Sequence, residues 1–248
     1  MVHHSANAHL KMQPVVKNAI LARMPLQDLA AIGAVLEPVI LQERMVLQEP
    51  KGELEHVYFI ESGLISLRIV AEASILETAL IGYRGAVGAS ILLGGHVSTH
   101  QHVVLFRGTA YRTRVEDLRR LTNERQDIAA PLLRYVQALN LHCAQTGLCG
   151  VRHETEGRLA SWLCLAMDAI ASRALPVTHD YLSTVLGLRR AGVTETLIRF
   201  EEQGLIRKTR GLLEVDDRAG LQQKACCCYR FISAAYACSE AATSTQQG

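Results

Sequence analysis

Apolar residues recur along this chain with two different periods, and the change from one to the other divides it. From about residue 35 to residue 115 they come in short runs broken by glycine: EPVILQ, HVYFIESGLISLRIV, ILETALIGYRG, VGASILLGG, HQHVVLF and TAYRTRV. Runs of this length, rich in Val, Ile, Leu and Tyr, predict short β-strands. Within the second run, Val57-Tyr58-Phe59-Ile60, then Glu61-Ser62-Gly63, then Leu64-Ile65-Ser66-Leu67 predicts strand, tight turn, strand. Many strands at this spacing predict a closed or sandwiched all-β unit of the jelly-roll type. Ahead of it, VVKNAILARM and PLQDLAAIGAVL predict one or two short helices packed on that β unit.

Beyond residue 115 the period becomes helical. Leu132, Val136, Leu139 and Cys143 stand at i, i+4, i+7 and i+11, the a/d seam of a coiled coil, and predict a long helix that pairs with its copy in a parallel homodimer. An intramolecular packing face is the other reading of that seam. Gly147 and Gly150 predict a hinge at its end. HETEGRLASWLCLAMDAI then predicts a second helix facing inward through Leu159, Leu163, Ala166 and Ile170, with Trp162 and Cys164 as core. After Gly220, LQQKACCCYRFISAAYAC predicts a last helix, and SEAATSTQQG a small, polar, disordered tail.

Residues 175–215 have the local cues of a winged helix-turn-helix. Thr178 predicts an N-cap, with Asp180 in the first turn where the helix dipole favours an anion. Leu182, Val185 and Leu186 form the apolar face of that helix, and Gly187 supplies the turn. In the next helix Val193, Leu197 and Phe200 form a one-sided stripe that must pack on the first. Arg190, Thr194 and Glu195 are left facing outward. RKTRGLLEVDD then predicts a small hairpin. A short helix with arginines at its start, braced by a partner helix, is suited to the DNA major groove.

Composition changes this picture little. At 248 residues the chain suits one large domain or two smaller ones, and 49% hydrophobic with 20% charged residues is a globular balance. The net charge of +2 advertises no global field for nucleic acid. Between residues 187 and 211, however, six basic residues (Arg189, Arg190, Arg199, Arg207, Lys208 and Arg210) face three acidic ones (Glu195, Glu201 and Glu202). Asp180, Glu214, Asp216 and Asp217 on the flanks cancel that excess, so non-specific affinity should be modest. MVHHSANAHLKMQP has no apolar signal core, and residues 85–106, the longest stretch free of Asp, Glu, Lys and Arg, are too polar to span a membrane. Seven cysteines, all from Cys143 onward, do not resemble a disulfide framework; a cytoplasmic chain with reduced thiols is expected.

Order and residues together resemble the Crp/Fnr superfamily of bacterial transcription regulators. The landmarks are YFIESGLISL, GYRGAVGASILLGG, EGRLASWLCLAMD and, most specific, LSTVLGLRRAGVTETLIRFEEQGLI, which aligns with the family's helix-turn-helix without a gap. The resemblance implies an α+β chain. Its parts would be a cyclic-nucleotide-binding-like β-roll sensor at 1–118, a dimerisation helix at 119–151, a winged helix-turn-helix at 152–235 and a flexible tail at 236–248. It also implies a homodimeric regulator, not an enzyme, with a recognition helix at about 189–203 reading a palindrome in double-stranded DNA, and RNA polymerase as a further partner.

The family's best-known recognition helix presents Arg, Glu and Arg. Here those positions are Arg190, Ala191 and Glu195. Arg190 can still bond guanine bidentately and Glu195 can accept from a cytosine amino group, so half-sites unlike the family's best-known one are expected. Thr194 and Arg199 complete the expected reading face, while Arg189, Arg207, Lys208 and Arg210 are expected on phosphates. Family members that bind cyclic AMP carry a Glu just after a glycine and a downstream Arg. This chain reads Gly88-Ala89-Ser90 and then HVSTHQHVV, with neither, so cyclic AMP is not expected. No cysteine precedes Cys143, which argues against an N-terminal iron–sulfur cluster. Haem stays open, and no cofactor-binding residue is singled out.

His100 and His102 alternate onto one strand face near His96, a weak metal motif without a carboxylate; no metal site is assigned from it. The alternative function is a ligand- or metal-binding roll acting as a cupin-like enzyme or on a partner protein. Cys226-Cys227-Cys228 invites a redox or soft-metal role, but helical neighbours point to different faces.

Overall fold

The computed structural model describes residues 16–72, 74–209 and 211–241. A 3-10 turn, Leu21–Arg23, precedes α1 (Leu26–Gly33). Strands β1 (Glu37–Leu41), β2 (Val46–Gln48), β3 (His56–Ala71), β4 (Ser74–Ile81), β5 (Ala86–Val87) and β6 (Gln101–Arg114) make one antiparallel sheet in the order β1-β6-β3-β4, with β2 on β6 and β5 on β3. The chain is thus α+β, with an antiparallel sheet at its N-terminal end and helices beyond.

The expected turn at Glu61-Ser62-Gly63 is not a turn. β3 runs straight through it and pairs with β6 from His56 to Arg68, with register shifts between Ile60 and Ile65. Gly63 adopts φ 87°, and a Cβ on Gly108 would collide with the Ser62 carbonyl. The two strands therefore approach through a glycine-bearing bulge, which bends a strand without reversing it. For the same reason HQHVVLF and TAYRTRV are one strand. VGASILLGG holds only Val87 of the two-residue β5 and a 3-10 turn, Ala89–Leu93, with Gly88 and Gly94 left-handed at its ends.

Helices α2 (Val115–Glu124) and α3 (Gln126–Arg152) come next, so the expected boundary at residue 118 falls inside a helix. Gly147 and Gly150 do not break α3. It ends at Arg152, and the extended His153 and Glu154 lead to α4 (Thr155–Ile170). The remaining elements are β7 (Ala174–Leu175), α5 (His179–Leu186), α6 (Arg190–Glu202), β8 (Ile206–Thr209), β9 (Leu212–Val215), α7 (Arg218–Lys224) and α8 (Cys227–Ala241). The expected last helix is two, parted at Ala225, whose ψ of 143° leaves the helical range. The expected flexible tail from residue 236 is helical through Ala241; residues 242–248 lie outside the described residues.

α3 presents three stripes, about 120° apart at 100° per residue. Leu132, Val136, Leu139 and Cys143, expected on the dimer seam, face the chain's own sheet: Leu132 and Val136 are buried with Phe59 and Ile128, and Leu139 and Cys143 pack beside Ile60 and Ile81. Burial raises the Cys143 thiol pKa. A heptad pattern marks an apolar stripe without naming what covers it, and here the sheet does. A second stripe, through Arg134, Ala138, His142 and Cys149, is covered by α8. His142 Nδ1 lies 3.1 Å from Tyr236 Oη, and Arg134 donates to the Ser239 carbonyl at 3.4 Å. The third, with Leu133, Leu141, Leu148 and Val151, is exposed.

α8 returns to the sheet as well: Glu240 pairs with Arg23 at 2.9 Å and with Arg84. The sheet and the C-terminal helices share one core, in which Leu64, Leu80 and Phe106 join Trp162, Leu163, Val185 and Phe200. At the junction a Cβ on Gly82 would collide with the Ala169 carbonyl.

Candidate nucleic-acid interface

The cues at 175–215 lie where their chemistry requires. Thr178 Oγ1 accepts from the Tyr181 N–H at 3.1 Å and caps α5, and Gly187 ends it with φ 58°. Leu182, Val193, Leu197 and Phe200 have no exposed surface, so α6 is clamped against α5 and the core. β7, β8 and β9 form a three-stranded sheet beside it, with the expected hairpin as β8–β9.

This clamp turns the opposite side of α6 to solvent. Arg189, Arg190, Ala191, Glu195, Ile198 and Arg199 are all exposed. Ile198 is 42% exposed and lies between Thr194 and Ala191 in angle, an apolar group in the middle of the face that sequence reasoning missed. The signal was available: Ile198 falls outside the Val193–Leu197–Phe200 stripe, so helical periodicity alone turns it outward.

The charges are partly engaged. Arg190 Nε lies 2.8 Å from Asp180 Oδ1, an exposed pair joining α6 to α5. Thr194 Oγ1 is 3.0 Å from His179 Nδ1, whose pKa is lowered by burial and by the nearby Lys208 and Arg190 charges. Lys208 Nζ sits 2.9 Å from Glu201, and that hydrogen-bonded contact lowers the Glu201 pKa. Arg207 is divided between Glu214 at 2.9 Å and Asp216 at 3.3 Å. Arg199 points away from the others, 3.6 Å from Glu156 on α4 and 3.1 Å from Thr196 Oγ1. The fold therefore gathers Arg189, Arg190, Ala191, Thr194 and Glu195 on one face and holds Arg199 against its flank. Arg210 lies outside the described residues.

His96, His100 and His102 do not converge with carboxylates or thiols. Among the described residues, the one grouping of three or more metal-type ligands is elsewhere. His102 is buried on β6 and held neutral, pushed down to about 3 by desolvation; His100 Nδ1 is 2.7 Å from Thr99 Oγ1. Among the described residues no helix is long and apolar enough to cross a membrane.

Residues 157–224 match the family model of the Crp-like helix-turn-helix domain. No curated protein sequence matches the chain. Among solved structures, FixK2 from Bradyrhizobium japonicum is similar with a TM-score of 0.66 at 16% identity, over 77% of this chain and 98% of that one. A transcriptional regulator of the crp/fnr family from Eubacterium rectale has a TM-score of 0.63 at 13% identity, over 81% and 94%. A CRP/FNR-family transcriptional regulator from Thermus thermophilus has 0.59 at 20%, over 76% and 98%. With a Crp-like helix-turn-helix domain at 157–224 and this shared architecture around it, the chain has the fold of the Crp/Fnr superfamily of transcriptional regulators.

Proposed function

We propose that the protein is a homodimeric, sequence-specific transcription regulator that places α6 in the major groove of a palindromic site. The observation that carries this reading is the division of α6: Val193, Leu197 and Phe200 are fully buried, while Ala191 and Glu195 stand exposed on the far side and Arg190 stands exposed at its first residue. A helix so braced can enter a groove without unfolding its support. Arg190 reads guanine and Glu195 accepts from cytosine, with Ala191 and Ile198 offering apolar contact to a thymine methyl. Arg189, Arg207 and Lys208 hold phosphates. Arg199, engaged with Glu156, contributes from the edge.

The dimer forms through the exposed stripe of α3, in which Leu133, Leu141, Leu148 and Val151 are its apolar members. The protein works in the cytoplasm with RNA polymerase, and the sheet domain receives the signal. That signal is neither cyclic AMP nor an N-terminal iron–sulfur cluster, since Gly88-Ala89-Ser90 supplies no carboxylate and no cysteine precedes Cys143.

The test is selection of genomic DNA by the purified protein at stated salt, followed by footprinting. A two-fold symmetric motif with half-sites one helical turn apart, ~34 Å, is expected. Arg190→Ala should relax specificity at one base pair per half-site. Identical occupancy of every site by Arg190→Ala would overturn the assignment.

A further inference from the structure

Away from the reading face, the fold brings together four metal-type ligands drawn from two distant segments. Cys149 lies in the last turn of α3, and His153 is the extended residue that ends that helix. Cys226 sits in the break between α7 and α8, and Cys228 lies in the first turn of α8. One donor atom from each falls within 4.8 Å of the other three. Cys149 Sγ is 3.4 Å from Cys226 Sγ, and Cys228 Sγ is 3.5 Å from His153 Nδ1.

The break before α8 defeats the objection that adjacent cysteines cannot share a site. Cys226 is not helical, so it and Cys228 turn to the same side, while Cys227 is exposed and meets only the other ring nitrogen of His153, Nε2, at 3.7 Å. Cys226 is also held by the chain itself: its N–H donates to the Gly157 carbonyl at 3.2 Å and to Ser161 Oγ at 3.0 Å. A Cβ on Gly157 would approach Cys226 Cβ to 3.3 Å, so the glycine admits the cysteine backbone. Ser161 Oγ lies 3.1 Å from Cys226 Sγ, a contact of the kind that orients a ligating sulfur.

A tetrahedral zinc ion with Zn–S of about 2.3 Å and Zn–N of about 2.0–2.1 Å sets its ligand atoms about 3.5–3.8 Å apart. The Cys149–Cys226 and Cys228–His153 separations are close to that size, and every other pair of donors is within 4.8 Å. We propose that Cys149, His153, Cys226 and Cys228 bind one divalent metal ion, zinc, which clamps α8 to the joint between α3 and α4. A closed Cys3His set leaves no position for substrate and is the mark of a structural site, and thiolates with imidazole favour zinc among the common divalent ions. Donors packed around one centre surround a single ion. Binding releases thiol protons to solvent, so affinity falls in acid. The clamp lies where the sheet-bound helix hands over to the DNA-binding helices. Its loss frees α8 from α3 there and loosens the short link, His153-Glu154, between α3 and α4. The site stands whether or not the protein reads DNA as proposed.

The test uses the full chain, reduced, stripped with a chelator and titrated with Zn2+ in competition with a chromophoric chelator, then with Co2+ followed by absorption. About one ion per chain is expected, with thiolate-to-cobalt charge transfer and tetrahedral ligand-field bands that zinc abolishes. His153→Ala and Cys228→Ser should each weaken binding by at least about 10–100-fold. Cys227→Ser and Cys238→Ser should bind as the parent does. His153→Cys should retain the metal, which separates loss of a ligand from loss of the fold. Failure of the reduced protein to bind zinc saturably, loss of binding in Cys227→Ser, an octahedral cobalt spectrum, or acid-labile sulfide from a multi-iron cluster would each overturn the site.

Discussion

Trp162 on α4 donates its indole N–H to the carboxylate of Glu77 on β4, and both side chains are buried. The same carboxylate accepts from Tyr181 Oη on α5 at 2.8 Å and from Ser66 Oγ on β3. One acceptor therefore takes a donor from its own sheet and two from the helix-turn-helix domain. Arg68 stands behind it, donating to Ser66 Oγ at 2.8 Å with its guanidinium 5.7 Å from the centre of the Tyr181 ring. Hydrogen bonds weaken steeply with angle, so the C-terminal helices cannot rotate against the sheet without breaking this joint.

Removing the acceptor strands two buried donors, on Ser66 and Trp162, each costing about 1–3 kcal/mol, and the half-buried Tyr181 hydroxyl, so Glu77→Ala should destabilise the chain by about 2 kcal/mol or more. Gln keeps one acceptor oxygen and should cost less. The two differ in pH response as well. Burial raises the Glu77 pKa, against the pull of Ser66, Trp162, Tyr181 and Arg68. A carboxyl whose folded pKa is raised contributes most below the ordinary carboxylate range, and that contribution declines as pH rises through the folded value. Thermal melting of the parent and Glu77→Gln between about pH 5 and 8 should show the parent losing ground as pH rises. A constant difference would refute the titration.

What could be read from the sequence was local. The Thr178 cap, the Gly187 turn and the Val193–Leu197–Phe200 stripe each span at most eight residues, and the fold places all of them as their chemistry implies. Long-range packing was not legible. The spacing of Leu132 and Val136 shows that they share a face, but nothing in it distinguishes a second copy from the chain's own sheet. Gly63 punctuates a strand in the same way whether it makes a turn or a bulge, and only the close approach of Gly108 on β6 decides. The cysteine grouping joins positions 77 residues apart and depends on a helix break at Ala225 that no proline or glycine announces.

Arg190 is paired with Asp180, and in the proposed complex DNA competes for it. Such an exposed pair contributes at most about 1 kcal/mol, so Asp180→Asn should tighten specific binding by up to about 5-fold and also remove a repelling charge. Arg190→Ala should lose about 1–3 kcal/mol of discrimination at its base pair. Lys208→Ala should weaken all sequences alike and reduce the salt slope by about one. Fluorescence anisotropy over a salt series separates these outcomes. Equal loss on cognate and scrambled DNA in Arg190→Ala would move Arg190 to the phosphates.

His102 and His142 are buried and neutral, both pushed down to about 3 by desolvation. In the unfolded chain each titrates near about 6.5. Between those values the unfolded chain holds protons the folded chain lacks. Stability therefore falls as pH drops from about 6.5 towards 3, by up to about 1.4 kcal/mol per pH unit for each histidine. His142→Gln can keep the contact to Tyr236 Oη while removing one titration. Urea unfolding between about pH 7 and 5 should show a shallower acid loss than the parent's. An unchanged slope would clear His142 of the acid sensitivity.

The stripes of α3 differ in what a charge placed on them would disturb. Leu148 and Val151 are exposed, whereas Leu132 is fully buried against the sheet. A charge at Val151 or Leu148 cannot disturb the folded chain's core but would be buried unpaired between two copies, which is costly. Leu148→Asp with Val151→Asp should therefore yield a folded monomer that has lost cooperative binding to a palindrome. Leu132→Ala should do the reverse, costing about 2–5 kcal/mol of stability through its cavity while the folded fraction stays dimeric. Light scattering with circular dichroism reads both. A dimer that survives the double aspartate but dissociates in Leu132→Ala would return the seam to the Leu132–Val136–Leu139–Cys143 face. The chain's own sheet would then have to release that face for a partner.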